Sequence, residues 1–174
     1  MSTESLRLRL AGPASSAASF AVVYDRHAVR LLRLAFLLCG HQQQAEDAVA
    51  ETFAKVLPQW QQGRLSEPGA YLRRALVNEI TSRGRRRVLE IREERRRSVA
   101  GRGAGDIGDQ AVDRDVVIHA LRQLPVGQRA VIVLRYYEDL PEGEVASVLG
   151  ISVGTVKSQT ARAMARLRHL MEES

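Results

Sequence analysis

A group of polar side chains recurs at helical spacing between Thr155 and Arg166. The apolar residues among them, Val156, Ala163 and Leu167, would lie on one face of that helix, so the polar residues would occupy the other. Cationic and amide side chains on an exposed helix face suit phosphates and the edges of bases. The candidate binding residues on this face are Thr155, Ser158, Gln159, Arg162 and Arg166.

The residues that precede this helix predict a second helix and a tight turn. Val145, Val148 and Leu149 have helical spacing, Gly150 suits a helix end, and Ser152 is placed to cap the helix that follows. Two helices joined in this way are typical of a DNA-binding helix-turn-helix. The plainer alternative is a solvated amphipathic helix that ends a bundle.

A second candidate site for nucleic acid lies on a helix predicted for residues 70–82. Tyr71, Arg74, Asn78 and Ser82 share one face of it. Stacking of an unpaired base on a tyrosine ring contributes about 1–3 kcal/mol, and arginines can follow the backbone of a single strand. The alternative is that Tyr71 packs against a neighbouring helix and the arginines are only solvated.

An acidic cluster marks the helix predicted for residues 42–57. Glu46, Asp47 and Glu51 lie on it, and Asp47 and Glu51 are four residues apart, where like charges destabilise a helix by about 0.2–0.5 kcal/mol. This unfavourable pair suggests a basic partner. Compensation of the helix dipole explains Glu46 and Asp47 better than it explains Glu51.

Composition and spacing exclude several classes of protein. Cys39 is the only cysteine, so no internal disulfide is possible. With its neighbour His41 it lies at an apolar helix end that lacks the oxyanion motif of a cysteine hydrolase. The histidines have no metal-ligand spacing and no glycine loop suits a phosphate, so we expect no metal, cofactor, small-molecule substrate or enzyme activity. No apolar run is long enough for a membrane span or resembles a signal peptide, which predicts a cytoplasmic protein without membrane insertion. The net charge of +6 favours an anionic partner.

The chain is predicted to form an all-α fold of two small helical domains joined by a flexible linker. A loosely ordered start covers residues 1–16, the first domain residues 17–97, the glycine-rich linker 98–110 and the second domain 111–174. Pro58 is expected to stop the second helix, and the arginine-rich segment after Ser82 to form a separate fourth helix on the surface. Helices of the second domain are predicted at about 111–123, 127–137, 141–149 and 153–171.

Three stretches resemble the extracytoplasmic-function (ECF) group of bacterial RNA polymerase sigma factors, in the sigma-70 family. AEDAVAETFAKVLPQW at 45–60 resembles the polymerase-binding region, and AYLRRALVNEITSRGRRR at 70–87 resembles the promoter-melting region. Residues 124–168 resemble the C-terminal helix-turn-helix domain. The resemblance implies a sigma factor that binds core RNA polymerase and recognises the minus-ten and minus-thirty-five promoter elements.

The resemblance also implies roles for individual residues. The clamp helices of the largest polymerase subunit would be bound by Glu46, Asp47, Glu51 and Phe53. Flipped bases and backbone of the minus-ten element would be bound by Tyr71, Arg73, Arg74, Asn78, Ser82 and Arg85, with the loop 61–69. The minus-thirty-five element would be bound by Lys157, Ser158, Gln159, Arg162 and Arg166, with Arg135 and Thr155 on phosphates. An anti-sigma protein that covers both domains is a further expected partner.

The sequence departs from the family pattern at a few positions, and other interpretations remain open. Gln159 and Ala161 stand where family members often carry arginine and a longer side chain, so promoter specificity cannot be carried over. Ala50 replaces a common glutamine, and Gly143 weakens its helix by about 1 kcal/mol relative to alanine. A LuxR-type regulator that binds duplex DNA without polymerase is the main alternative. A protein-binding helical adaptor is the other.

Overall fold

The computed structural model describes residues 13–65, 67–97 and 116–172, and these ranges contain helices and no strand. The all-α prediction is therefore confirmed. The predicted linker, residues 98–110, and most of the predicted loose start lie outside the described residues. In chain order the helices are α1 (Pro13–Cys39), α2 (Gln42–Gln61), α3 (Pro68–Arg97), α4 (Val116–Arg122), α5 (Val126–Ile132), α6 (Glu142–Leu149) and α7 (Val153–Glu172).

The first three helices form a bundle around a leucine and valine core. Leu34 of α1, Val56 of α2 and Leu72 and Leu76 of α3 are all fully buried. Each is one member of a stripe at helical spacing, so burial of the stripes against one another holds the bundle together. The polar faces of α2 and α3 remain on the outside.

The second domain contains the predicted helix-turn-helix, formed by α6 and α7. Gly150 ends α6 in the left-handed region, at φ 63°, where glycine has no steric cost. The Ser152 hydroxyl then accepts a hydrogen bond from the Thr155 amide at 3.1 Å, which caps α7. Val145 and Val156 are fully buried between the two helices and the rest of the domain. The predicted turn and cap are therefore confirmed.

Two predicted helix boundaries in the first domain are wrong. Helix α2 continues through Pro58 to Gln61, because proline removes one amide donor while its carbonyl still accepts a bond from the Gln62 amide at 3.2 Å. The Trp60 ring lies 6.2 Å from the Phe20 ring, and this contact holds the extra turn against α1. Helix α1 also begins earlier than predicted, at Pro13, a residue that suits a first helical turn.

The arginine-rich segment is not a separate helix. Helix α3 runs without a break from Pro68 to Arg97, so the predicted end at Ser82 is wrong. The residues after Ser82 include good helix formers and no proline, and Gly84 alone does not stop a helix. The same helix therefore carries the candidate base-binding residues and the arginine run.

The single helix predicted for residues 127–137 is divided. Helix α5 gives way to a π-helical turn at Val133–Tyr137, which the Glu138 amide closes by donating to the Val133 carbonyl at 3.1 Å. Such turns insert one extra residue and redirect the chain that follows. Here the residue that follows is Glu138, which is only 6% exposed.

The two domains pack directly against each other, which their sequences did not predict. Helix α3 contacts α5 and α6, and α1 contacts α4, α5 and the π-helical turn. Arg129 of α5 is buried and donates from Nη1 to the Leu38 carbonyl of α1 at 2.8 Å. The buried apolar residues of both domains consequently form one continuous cluster.

Candidate nucleic-acid and polymerase interfaces

The outer face of α7 forms the recognition surface, defined by Lys157, Ser158, Arg162 and Arg166. All four side chains are exposed. The ammonium of Lys157 lies 3.7 Å from the Glu142 carboxylate, a loose surface pair that solvent screens. The buried Val156 and Ala163 fix the opposite face of the helix, so these cations point outward and can meet phosphates and base edges.

Three other residues predicted to bind the minus-thirty-five element lie outside this exposed group. Gln159 is half-buried beside Gly127, and its Oε1 is buried without a hydrogen-bond partner. Thr155 is half-buried, and its hydroxyl lies 2.9 Å from that of Ser152. Arg135 donates from Nη1 to the Leu140 carbonyl, so it supports the turn before α6. Packing of α7 against α5 and the cap geometry account for these positions, and none of the three side chains lies freely on the recognition surface.

The predicted polar face of α3 is present and defines the α3 surface, formed by Tyr71, Arg74, Asn78 and Arg85. Tyr71 is 36% exposed, so part of its side chain is accessible to a base while the rest is covered by the protein. Arg74 and Asn78 are exposed, and the predicted Ser82 is half-buried beside them. Arg85 is exposed, with its Nε 3.3 Å from the Thr81 carbonyl one turn earlier. A ring, a guanidinium and an amide in one row provide the groups that bind unstacked bases.

Arg73 does not lie on the α3 surface. Its Nη1 is 3.3 Å from Oε2 of Glu138 in the second domain, and its side chain is only 21% exposed. Adjacent residues on a helix point about 100° apart, which separates Arg73 from Arg74. In this arrangement of the domains the side chain of Arg73, which we predicted to bind the minus-ten element, is instead held by Glu138.

The acidic cluster on α2 is only partly available. Glu46 and Asp47 are exposed and accept hydrogen bonds from Gln42 at 2.6 Å and Gln43 at 3.2 Å. Glu51 instead pairs with Arg83 of α3, so it contributes to the contact between α2 and α3. This internal pair accounts for the carboxylate without an external basic partner. The remaining α2 acidic surface consists of Glu46 and Asp47.

The Glu51 pair belongs to a small ionic network. Lys55 Nζ lies 2.5 Å from Glu79, and Arg83 Nε lies 2.7 Å from the same carboxylate. The hydrogen bond from Lys55, together with that from Arg83, lowers the pKa of Glu79, against an opposing effect of burial. The network joins α2 to α3 and so fixes the acidic surface relative to the α3 surface.

Phe53 is not a surface residue. It is 5% exposed, and its ring lies 4.7 Å from that of Tyr24 and 6.0 Å from that of Phe20. Such centroid distances are typical of packed aromatic pairs. The predicted direct contact between Phe53 and a partner is therefore wrong, and the residue stabilises α2 against α1.

Glu138 is a residue that the sequence analysis missed. Its carboxylate is buried between the domains, beside a cavity of about 290 Å³ whose lining includes His27, Arg30, Glu67 and Arg73. A single acid between two tyrosines and an aspartate shows no periodic signal, so only the tertiary structure reveals its partners.

The described residues show no sign of a metal centre or a membrane span. Among them no three metal-ligating side chains come together. Within residues 13–65, 67–97 and 116–172 no helix combines the length and the apolar character needed to cross a membrane. Burial raises the pKa of Cys39 to about 11, so the thiol is a packing residue at neutral pH.

The fold and these surfaces define an all-helical protein with a helix-turn-helix in its second domain. Residues 23–89 match the sequence profile of Sigma-70 region 2, and residues 114–167 match that of Sigma-70 region 4. The chain therefore belongs to the sigma-70 family of RNA polymerase sigma factors, and its curated relatives include named ECF members.

Relatives and solved structures agree with this assignment. The chain is 37% identical to the RNA polymerase sigma-E factor of Streptomyces coelicolor over 79% of its length and 77% of the relative's. It is 34% identical to the ECF sigma factor SigL of Mycobacterium tuberculosis, over 95% of this chain and 96% of SigL. The fold is similar to that of RpoE from Bartonella quintana, solved with the anti-sigma factor NepR, with a TM-score of 0.65, 26% identity and coverage of 88% and 97%. It is also similar to CnrH, solved with the cytosolic domain of CnrY, with a TM-score of 0.59, 26% identity and coverage of 92% and 95%.

Proposed function

We propose that this sigma factor binds core RNA polymerase through the α2 acidic surface and reads promoter DNA through its two polar helix surfaces. The observation that carries the proposal is that three separate surfaces of the helical domains face the solvent. Glu46 and Asp47 face outward on α2, the α3 surface lies in the same domain, and the recognition surface lies on α7.

Each surface suits one step of initiation. Carboxylates at the exposed start of α2 complement a basic partner, here the clamp helices of the largest polymerase subunit. The α3 surface would stack and bind the flipped bases of the minus-ten element, whose extrusion costs a few kcal/mol. The recognition surface would enter the major groove of the minus-thirty-five element. The polymerase performs the chemistry, so the chain needs no enzyme activity of its own and works in the cytoplasm.

The decisive experiment is a titration of the full chain against bacterial core RNA polymerase, with Asp47→Arg beside it. Asp47 is exposed, so its reversal changes the acidic surface without disturbing the core. The matched control is Asp25→Arg, an equal charge change at an exposed position of α1. We expect tight binding by the parent and the control, and a loss of at least about tenfold for Asp47→Arg.

The main competing function is a stand-alone regulator that binds duplex DNA without polymerase. It predicts no core binding by any of these proteins, together with duplex binding that Arg162→Ala weakens. Absence of core binding by the parent would therefore refute the sigma-factor mechanism in favour of this one.

Regulation by an anti-sigma protein is a further part of the proposal. The solved structures of two similar sigma factors contain the partners NepR and CnrY. Exposed apolar side chains on α1, among them Val22 and Val29 at a spacing of two helical turns, offer a surface of the kind that a partner helix covers. Co-purification with a candidate anti-sigma protein, and its loss with Val22→Asp, would test this point.

A further inference from the structure

A buried carboxylate joins the two domains at their seam. Oε2 of Glu138 lies 3.0 Å from Nη2 of Arg30 and 3.3 Å from Nη1 of Arg73, and Oε1 lies 3.3 Å from Nε of Arg30. The Glu138 side chain is 1% exposed. Both arginines belong to the first domain and Glu138 to the second, so this ion pair exists only while the domains are in contact.

The contact between the domains leaves one hydrogen-bond donor of Arg73 unsatisfied. Its Nε is buried and makes no hydrogen bond, although Nη1 pairs with Glu138. A buried donor without an acceptor favours any arrangement in which it finds one. The Arg30 side chain is 62% exposed, so water already competes for the second pair. The contact is therefore suited to opening and closing.

Promoter binding requires the domains to separate. Elements about 25 base pairs apart lie about 85 Å apart along B-form DNA. A compact chain of 174 residues has a radius of gyration of about 16 Å, and so a diameter of about 40 Å. One compact body cannot place its two DNA-binding surfaces on both elements, so the contact between the domains must break first.

We propose that Glu138 is an internal competitor of promoter DNA, which occupies Arg73 in the closed protein and releases it to a DNA phosphate when the domains open. This inference rests on the proposed function of the chain. A carboxylate and a phosphate both accept the paired N–H donors of a guanidinium, so one can replace the other. Release would add a cation beside Arg74, on the helix that carries the α3 surface.

The test compares the full-length Glu138→Gln variant with the parent in the absence of polymerase. The probe is a fluorescent single-stranded 20-nucleotide DNA of mixed sequence, titrated at several salt concentrations, with small-angle scattering to measure the radius of gyration. We expect a larger radius, an affinity higher by about tenfold, and a salt slope steeper by about 0.7 for each phosphate gained. The matched control is Glu144→Gln, which removes the same charge from an exposed position of α6 six residues away.

Two further variants connect the effect to the named residues. Arg73→Gln in the Glu138→Gln background should keep the larger radius and lose the steeper salt slope. Arg30→Gln should separate the domains and raise DNA affinity with Glu138 intact. This variant therefore tests the proposal even if Glu138→Gln does not fold.

Several results would overturn the proposal. One is equal behaviour of Glu138→Gln and Glu144→Gln in scattering and in DNA binding. Another is a larger radius with no gain in affinity, and a third is a gain that persists without Arg73. Failure of the sigma-factor function itself would appear in the core titration with Asp47→Arg, which does not depend on Glu138.

Discussion

Gly84 of α3 and Val126 of α5 meet so closely that a β-carbon on Gly84 would lie 2.7 Å from Cγ2 and 2.9 Å from Cγ1 of Val126. Real β-carbons do not approach so near, and the branched valine has little rotamer freedom with which to move away. The backbone of Gly84 is α-helical, a conformation that any residue can adopt. The close contact between the domains is therefore what requires glycine at this position.

We predict that Gly84→Ala separates the domains without unfolding the helix. Alanine favours a helix by up to about 1 kcal/mol over glycine, so the local effect on α3 is favourable while the contact with Val126 is lost. The radius of gyration from small-angle scattering should increase. Gly143→Ala is the control, because a β-carbon at Gly143 would meet no atom within 4 Å and should only stabilise α6. An unchanged radius for Gly84→Ala would contradict the prediction.

The burial of Phe53 predicts that Phe53→Ala destabilises the protein by about 3–5 kcal/mol. Removal of the ring leaves a void beside Tyr24 and Phe20. Urea unfolding measures the free energy, with Val22→Ala as a control that should change it by less than about 0.5 kcal/mol because Val22 is exposed. A stable Phe53→Ala protein that had lost only polymerase binding would instead restore the surface role predicted from the sequence.

Arg162 is expected to contribute to minus-thirty-five recognition independently of polymerase binding. It is exposed at the centre of the recognition surface, where a bidentate contact to a base is worth about 1–3 kcal/mol. The DNA probes are duplexes that the parent protein selects from a random pool. Arg162→Ala should weaken binding to them by about tenfold or more and leave core binding unchanged. Arg26→Ala, an exposed arginine of α1, controls for net charge. Equal losses in duplex and core binding would disprove the assignment.

Cys39 is predicted to react slowly with iodoacetamide in the native protein. Because burial raises its pKa to about 11, only about one thiol in a thousand is ionised at pH 8, and the thiolate is the reactive form. Alkylation followed by mass spectrometry should be at least about a hundredfold slower than in urea. Comparable rates in the two conditions would show that the thiol is exposed by frequent opening.

The lowered pKa of His27 predicts that the protein loses stability in mildly acidic solution. Burial, with Arg26 and Arg30 nearby, lowers its pKa below the ordinary value of 6.5, so the unfolded chain binds the proton more tightly than the folded protein. The free energy of unfolding should therefore decrease as the pH falls from 6.5 through the lowered pKa. Urea titrations between pH 7.5 and 5.5 check this, and His27→Gln should flatten the slope. An identical slope in the variant would assign the effect to other groups.

Local signals in the sequence predicted much of the fold. The apolar spacing of α6 and α7, the glycine between them and the cap at Ser152 all act within a few residues, so they can be read without tertiary contacts. The exposed positions of Arg162, Arg166 and Tyr71 followed from the same periodicity. Boundaries were less predictable: Pro58 was overridden by packing of Trp60 on Phe20.

By itself, therefore, the sequence determined the all-helical class, the helix-turn-helix and the outward faces of α3 and α7, because hydrophobic periodicity fixes which side of a helix is buried. Only the tertiary structure decided which charged residues are free. Glu51 pairs with Arg83, and Arg73 with Glu138, across helices that are distant in sequence. Such pairs depend on how helices cross in space, which spacing along one helix does not encode.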